Sequence, residues 1–329
     1  MEPVTDVVAT AERYRRFARV EAAGMSPSYE ALALAVAEDR RVLDLLARVE
    51  QHQQQPNLLL GALRLHGVPT DDPARALDWV VAHPDAVLEV LRTRFTQTNE
   101  AGRCALLLPA LAQVADGRPV ALVELGASAG LCLVPDRYRY AYTRSDGSTH
   151  LLGPSDGPQL RCEVHDELPL PDRVPEIAWR AGLDRNPLDA ADEEDAAWLQ
   201  ALVWPAHADR AARLAVALAA TAQDPPRVLR GDVGDDLAAL LAEVPPGTRT
   251  VVTHTAVLAY VTAEVRERVR ATCRAAGAWR LGAEGRSVLP DLDAPAGDPS
   301  AFVLSLGHPD GTEEVVGLAQ PHGRWLRRA

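Results

Sequence analysis

The residues with the clearest chemical potential are Glu124-Leu125-Gly126-Ala127-Ser128-Ala129-Gly130. Small residues in such a run let the backbone approach a ligand, and amides at the start of a following helix can be offered to it. The same residues also spell G-x-S-x-G, a nucleophile elbow with Ser128 as the nucleophile. Asp232 and His254 follow in the chain order that such a hydrolase needs. Position separates the two readings. An elbow sits deep in its sheet, after strands that also build the oxyanion hole. Here Val120–Leu125 is the first strand-like run, only helical patterns precede it, and no H-G-G-G-like loop is present. The nucleotide-type loop is favoured, and the serine hydrolase is the alternative.

Other candidates recur at the ends of strand-like runs. Glu176–Asp184 ends in an acid, and Arg227–Arg230 leads into Gly231-Asp232-Val233. Arg249–Thr253 leads into His254, a side chain that can act as a base near neutral pH. Glu284, expected just after a fifth strand at Ala278–Gly282, would line the same mouth. Upstream, Asn99 and Glu100 in Gln97-Thr98-Asn99-Glu100 read as helix caps or as substrate-side contacts. Asp192-Glu193-Glu194-Asp195 reads as a solvated first helical turn.

The elements that must position these residues fall into two regions. Residues 1–117 read as helix after helix. Thr5–Ala23 carries a mostly helical apolar spacing, and Leu32 to Val49 forms one stripe after Pro27. Pro56, Pro73 and Pro84 open further helices, and a last one runs from about Asn99 to Ala115. From residue 118 onward strand and helix patterns alternate, which predicts an α/β domain with a mostly parallel sheet. A helix is expected to start at Leu131. Tyr138–Thr143 and Ser148–Leu152 flank Asp146-Gly147 as a hairpin, within an inserted region of about 134–175. Ala301–Leu306 and Glu313–Leu318 pair across Pro309-Asp310-Gly311 as an antiparallel C-terminal hairpin.

Taken together, Glu124-x-Gly126, Gly182-Leu183-Asp184-Arg185-Asn186-Pro187-Leu188, Leu229-Arg230-Gly231-Asp232-Val233 and the terminal hairpin resemble the class I S-adenosylmethionine-dependent methyltransferases over residues 119–329. That resemblance implies a Rossmann-like α/β sheet with a reversed strand inserted at its end, S-adenosylmethionine as cofactor, and methylation of a small molecule. It implies cofactor binding by Glu124, Gly126, Ala127, Ser128, Gly130, Asp184, Asp232 and Val233, with His254 and Glu284 as catalytic candidates. Two departures stand out: Ser128 replaces the usual central glycine, and about fifty residues separate Gly130 from Asp184. The whole chain, including Gln97–Glu100 and Trp204-Pro205, also resembles an uncharacterised bacterial family of actinobacterial type, known only as a domain of unknown function. A third reading is a non-catalytic binding or scaffold protein on the same fold.

Composition sets the outer bounds. The 329 residues carry a net charge of −12, and all 34 basic residues are Arg. That excludes lysine chemistry and disfavours a broad nucleic-acid surface, which is built from many cationic contacts. The partner expected is therefore a small molecule. Met1-Glu2-Pro3-Val4-Thr5-Asp6 has no apolar core, and no run reaches eighteen apolar residues, so neither a secretory signal nor a membrane span is expected. Cys104, Cys132, Cys162 and Cys273 are scattered, which predicts buried thiols of a cytoplasmic protein and no protein-held metal. The sequence carries no signal of oligomeric state.

Overall fold

The computed structural model describes residues 7–329. Thr5 and Asp6, the expected start of the first helix, and the Met1–Asp6 segment read for a leader lie outside the described residues. Helix α1 (Val7–Phe17) runs into a π-helical turn at Ala18–Ala22. The stripe expected as one segment from Leu32 to Val49 is divided into α2 (Pro27–Glu38) and α3 (Arg40–Leu46). The cause is Asp39, which is extended and accepts the Arg41 and Val42 amides as an N-cap. Proline at the first position opens α4 (Pro56–Leu65), α5 (Pro73–Ala82) and α6 (Pro84–Thr93), as the spacing predicts. Helix α7 (Arg103–Ala115) starts four residues after Asn99.

Strand β1 (Val120–Leu125) follows, buried along its whole length. The helix expected at Leu131 is only a three-residue 3₁₀ turn, Leu131–Leu133. Pro135 explains the difference, since it lacks an amide and biases Val134 away from helix. The chain then forms β2 (Arg139–Arg144), β3 (Thr149–Leu152), β4 (Gln159–His165) and β5 (Ile177–Asp184). Next come α8 (Glu193–Ala201), α9 (Ala208–Ala222), β6 (Arg227–Arg230), α10 (Leu237–Ala242) and β7 (Arg249–Thr255). The last elements are α11 (Ala263–Ala275), β8 (Trp279–Gly285), β9 (Phe302–Gly307), β10 (Glu313–Ala319) and β11 (Trp325–Arg328). Among the described residues no helix is long and apolar enough to cross a membrane.

The chain divides into two compact units. One comprises the residues up to Thr98 together with Glu193–Ala212; the other comprises Asn99–Asp192 and Arg213–Ala329. The boundary therefore lies before α7 rather than at 117/118, and α8 belongs with the helices. Within that helical unit Trp198 packs on Gly61, Arg64 donates to the Ala201 carbonyl at 3.0 Å, and the Trp204 indole donates to Asn57 at 3.0 Å. Asp195, expected as a solvated acid, is ion-paired with Arg94 there, while Glu194 is 87% exposed.

The second unit is built on one eleven-stranded sheet, in the order β3-β2-β4-β11-β10-β9-β8-β7-β1-β5-β6. Its parallel block, β6-β5-β1-β7-β8, reads 3-2-1-4-5 when those strands are numbered by appearance. That is a Rossmann-like order, with its topological switch between β1 and β7. Side chains alternate along each strand, so Val123, Leu125, Ala181, Leu183 and Val252 face a core shared with α10 and α11 through Leu237, Val269 and Cys273. Glu124 and Thr253, one register out, face the other side, where Arg103 of α7 reaches Thr255.

The antiparallel end departs from an inserted reversed strand. Strands β8, β9, β10 and β11 are neighbours in chain order and form a meander, because the tight turn at 308–312 pairs β9 directly with β10. The inserted region is continuous with this sheet: β2 pairs with β3 and β4, and β4 with β11. The Tyr138, Tyr140 and Tyr142 rings are buried, with hydroxyls donated to the carbonyls of Leu131, Pro135 and Ala105. Two of these bonds hold the segment that follows the glycine-rich loop.

Candidate functional site

Ligands of open α/β sheets bind outside the carboxyl ends of the strands at the switch point. In this sheet that position is bounded by the loops after β1 and β7, and Gly126–Gly130 lies on it. Gly126 and Gly130 take left-handed backbone angles, φ 69° and 73°, and so does Ser128 at φ 52°. A serine in that region is uncommon and is held by its surroundings. A Cβ on Gly126 would come within 2.6 Å of Val257 Cγ2, so only glycine lets the two loops meet.

The donors of this loop are already engaged. The Gly126 and Ala127 amides donate to the Leu183 carbonyl at 2.8 and 3.2 Å, and Gly130 donates to the Ala127 carbonyl at 2.7 Å. Ser128 N–H donates to Asp184 Oδ2 at 2.8 Å, and Leu131 N–H to Asn99 Oδ1 at 3.2 Å. Five of the six amides from Gly126 to Leu131 are thus used within the protein. No helix follows to offer others, since the 3₁₀ turn is too short. The expected helix amides are absent from this site for that reason.

Asp184, expected at the end of the second parallel strand, is there and half-buried. Besides Ser128 it accepts the Asn186 amide at 2.7 Å, tying the β1 loop to the end of β5. Asp232 is ion-paired with the exposed Arg185 at 2.6 Å and accepts the Gly234 amide at 2.8 Å; Arg185, followed by that amide, lowers its carboxyl pKa. Val233 turns away from the lip into the apolar core with Leu237 and Leu240.

Asn99 and Glu100 both lie in the sheet unit. Asn99 braces the loop from beneath, donating to the Ala127 carbonyl at 3.3 Å while accepting from Leu131. Glu100 accepts from the Gly102 amide at 3.1 Å and is ion-paired with Arg213 at 2.8 Å. Both are over 90% buried, so they position backbone.

Glu124 is 2% exposed, and its Oε2 has no hydrogen-bond partner. Burial, reinforced by the neighbouring Cys132 thiol, pushes its carboxyl well above the usual range, and Arg103 opposes this only in part. Spacing did not mark Arg103. It is a helix-start arginine in the sequence, yet it is buried and donates to the Thr255 carbonyl at 3.0 Å and hydroxyl at 3.3 Å. Ser128 Oγ is likewise buried without a partner.

His254 and Glu284 are brought together, but not with Glu124. Glu284 lies inside β8 rather than after it, because that strand runs three residues further than its pattern indicates. His254 aligns with Leu125 and Gly282, so it faces the α11 side of the sheet. His254 Nδ1 lies 3.0 Å from Glu284 Oε1, which also accepts the Val257 and Leu258 amides at 3.2 Å each. Both side chains are fully enclosed, and burial lowers the His254 pKa despite its carboxylate partner. The pair thereby fixes the loop that carries Val257. His254 Nε2 and Ser128 Oγ both lack hydrogen-bond partners, so the serine–histidine bond of a hydrolase is not formed.

All four cysteines are free and buried. No curated protein matches this sequence. A family profile described as "Uncharacterized protein conserved in bacteria (DUF2332)" matches residues 11–328, nearly the whole chain, and the protein belongs to that family.

Proposed function

We propose that the lip between the β1 and β7 loops binds S-adenosylmethionine and that the protein methylates a small molecule. One observation carries the reading: the lip is rich in acceptors and has few donors left. A pyrophosphate needs free amides, ideally at a helix N-terminus, and five of the six here are engaged. Asp184 and Asp232 instead favour a ligand that brings hydroxyls and a positive charge, while Glu124 is enclosed behind the loop. The residues fit such a group in that respect. Asp184 would face its ribose and Asp232 its adenine, while Glu124 and Val233 pack behind the lip.

When bound, the cofactor supplies an electrophilic methyl group. The chain's own contribution is positioning, since methyl transfer needs an in-line nucleophile. Asn99 and Asp184 hold the loop from either side, and Glu284 holds its neighbour across the switch point. With His254 enclosed, the acceptor expected is one that needs no base from this pair, such as a thiolate or a free amine. Nucleic acid is not the expected acceptor at a net charge of −12.

Calorimetric titration of the full chain with S-adenosylmethionine and S-adenosylhomocysteine tests the reading. Saturable binding with a matching rise in melting temperature is expected. A flat titration for both, with melting unchanged, overturns it. Labelling of Ser128 by a fluorophosphonate in the same preparation would move the assignment to the hydrolase.

A further inference from the structure

We infer that the cavity between α11, the first residues of β8 and the β9–β10 turn is a binding site for a small oxyanion. It has a volume of about 30 Å³ and is lined by Arg270, Arg274, Arg280, His308, Thr312 and Glu313 among others. That is space for two or three water-sized groups, the scale of a carboxylate or of the inward oxygens of a phosphate.

The local sequence explains the charge. Arg270 and Arg274 are four residues apart on α11, so they share one face of the helix. Arg280 enters from the second position of β8 and is only 7% exposed, ion-paired with Glu313. The lining therefore holds three guanidinium groups against one carboxylate. Other acids stand outside and are wetter. Glu267 lies 2.8 Å from Arg270 and 3.8 Å from Arg274 and is 58% exposed. Glu314, 3.0 Å from His308, is 55% exposed. Asp310 is turned into its own loop, accepting the Thr312 amide at 2.8 Å and hydroxyl at 2.7 Å. Water screens these charges more than it screens a group inside the cavity.

Burial disfavours the protonated form of Arg280, Cys273 and Glu267 oppose this, and the Arg270 and Arg274 charges act with the burial. With three guanidinium groups and one carboxylate in the lining, the pocket carries an excess of positive charge that an anion would relieve. The turn is shaped for this arrangement. Gly311 sits at φ 95°, and a Cβ there would lie 3.0 Å from Arg274 Nη1, so the glycine lets that guanidinium rest against the loop. Planar guanidinium forks match oxyanions better than they match a spherical ion.

The site lies at the amino end of β8. The switch-point lip is at the opposite end of the parallel strands, about 20 Å away along a seven-residue strand. Its occupancy is independent of the methyl-transfer reading.

The test is thermal unfolding of the full chain at fixed ionic strength, with chloride replaced stepwise by phosphate, sulfate or acetate. A saturable rise in melting temperature is expected with at least one oxyanion and not with chloride. Saturation by acetate at the lowest concentration would define the ligand as a carboxylate; by phosphate or sulfate, as a tetrahedral group. Arg274→Gln, at a half-exposed side chain, should melt as the wild type does in chloride and need roughly ten-fold more oxyanion, the loss of one charge-assisted contact. Arg270→Gln, at a 30% exposed side chain, serves as the second variant if the first does not fold. No saturable rise, an equal rise with chloride, or an unchanged midpoint in the variant would overturn the site.

Discussion

Glu124→Gln isolates the most unusual group behind the lip. Glu124 is enclosed on β1 with one carboxyl oxygen unpartnered, and desolvation holds its pKa well above 4.5. The folded chain therefore keeps a proton that the unfolded chain releases as pH rises past about 4.5. The sign follows from linkage. The stabilising effect of the raised pKa is fully present below the unfolded value and is lost as pH climbs toward the folded value. Over that window the cost is about 1.4 kcal/mol per pH unit for a single proton. Glutamine keeps the shape and removes the titration. Its amide adds a buried donor, which costs roughly 1–3 kcal/mol at every pH. The two effects are separable, because one changes the slope of stability against pH and the other only its level. Urea unfolding followed by circular dichroism in steps from about pH 5 to pH 7 measures both, and groups common to the two proteins cancel in the difference. The wild-type curve should fall relative to the variant as pH increases. Parallel curves would refute the reasoning, since they would mean that Glu124 titrates alike in the folded and unfolded chains.

Two further substitutions probe the loops on either side of the switch point. Gly126→Ala forces a Cβ to within 2.6 Å of Val257 at a left-handed backbone position; a loss of about 2 kcal/mol or more in denaturant unfolding is expected, together with weaker S-adenosylmethionine binding. Glu284→Gln removes the buried carboxylate that accepts from His254, Val257 and Leu258. It should cost about 2–4 kcal/mol and speed hydrogen exchange of the Val257 and Leu258 amides, and wild-type exchange there would count against a positioning role.

Much of the fold was legible because it is written in local periods. Prolines at helix starts placed α4, α5 and α6, and the alternating tyrosines and Asp146-Gly147 placed the β2–β3 hairpin. The apolar runs ending in Glu124, Asp184 and His254 marked three neighbouring parallel strands. Local signals also misled. Leu131 begins an apolar run that looks helical, but Pro135 stops it after one turn. Strand β11 pairs locally with β10, but its other partner is β4, far away in the chain, and nothing in the spacing of either strand announced that pairing.

The sequence by itself determined which residues form strands and helices and which chemical groups stand at strand ends. It could do so because side-chain periodicity, proline and glycine act over a few residues. Only the tertiary structure decided what those groups face. Asn99 proved to be a brace because its partners lie about thirty residues on, at Ala127 and Leu131. Asp184 and Leu183 take up loop amides that the motif alone would have left for a ligand. His254 and Glu124 occupy opposite sides of the sheet because paired positions in neighbouring strands share a face, and His254 aligns with Leu125 rather than Glu124. Hydrogen-bond partners and sheet faces are set by register across distant segments, and register is a property of the assembled sheet.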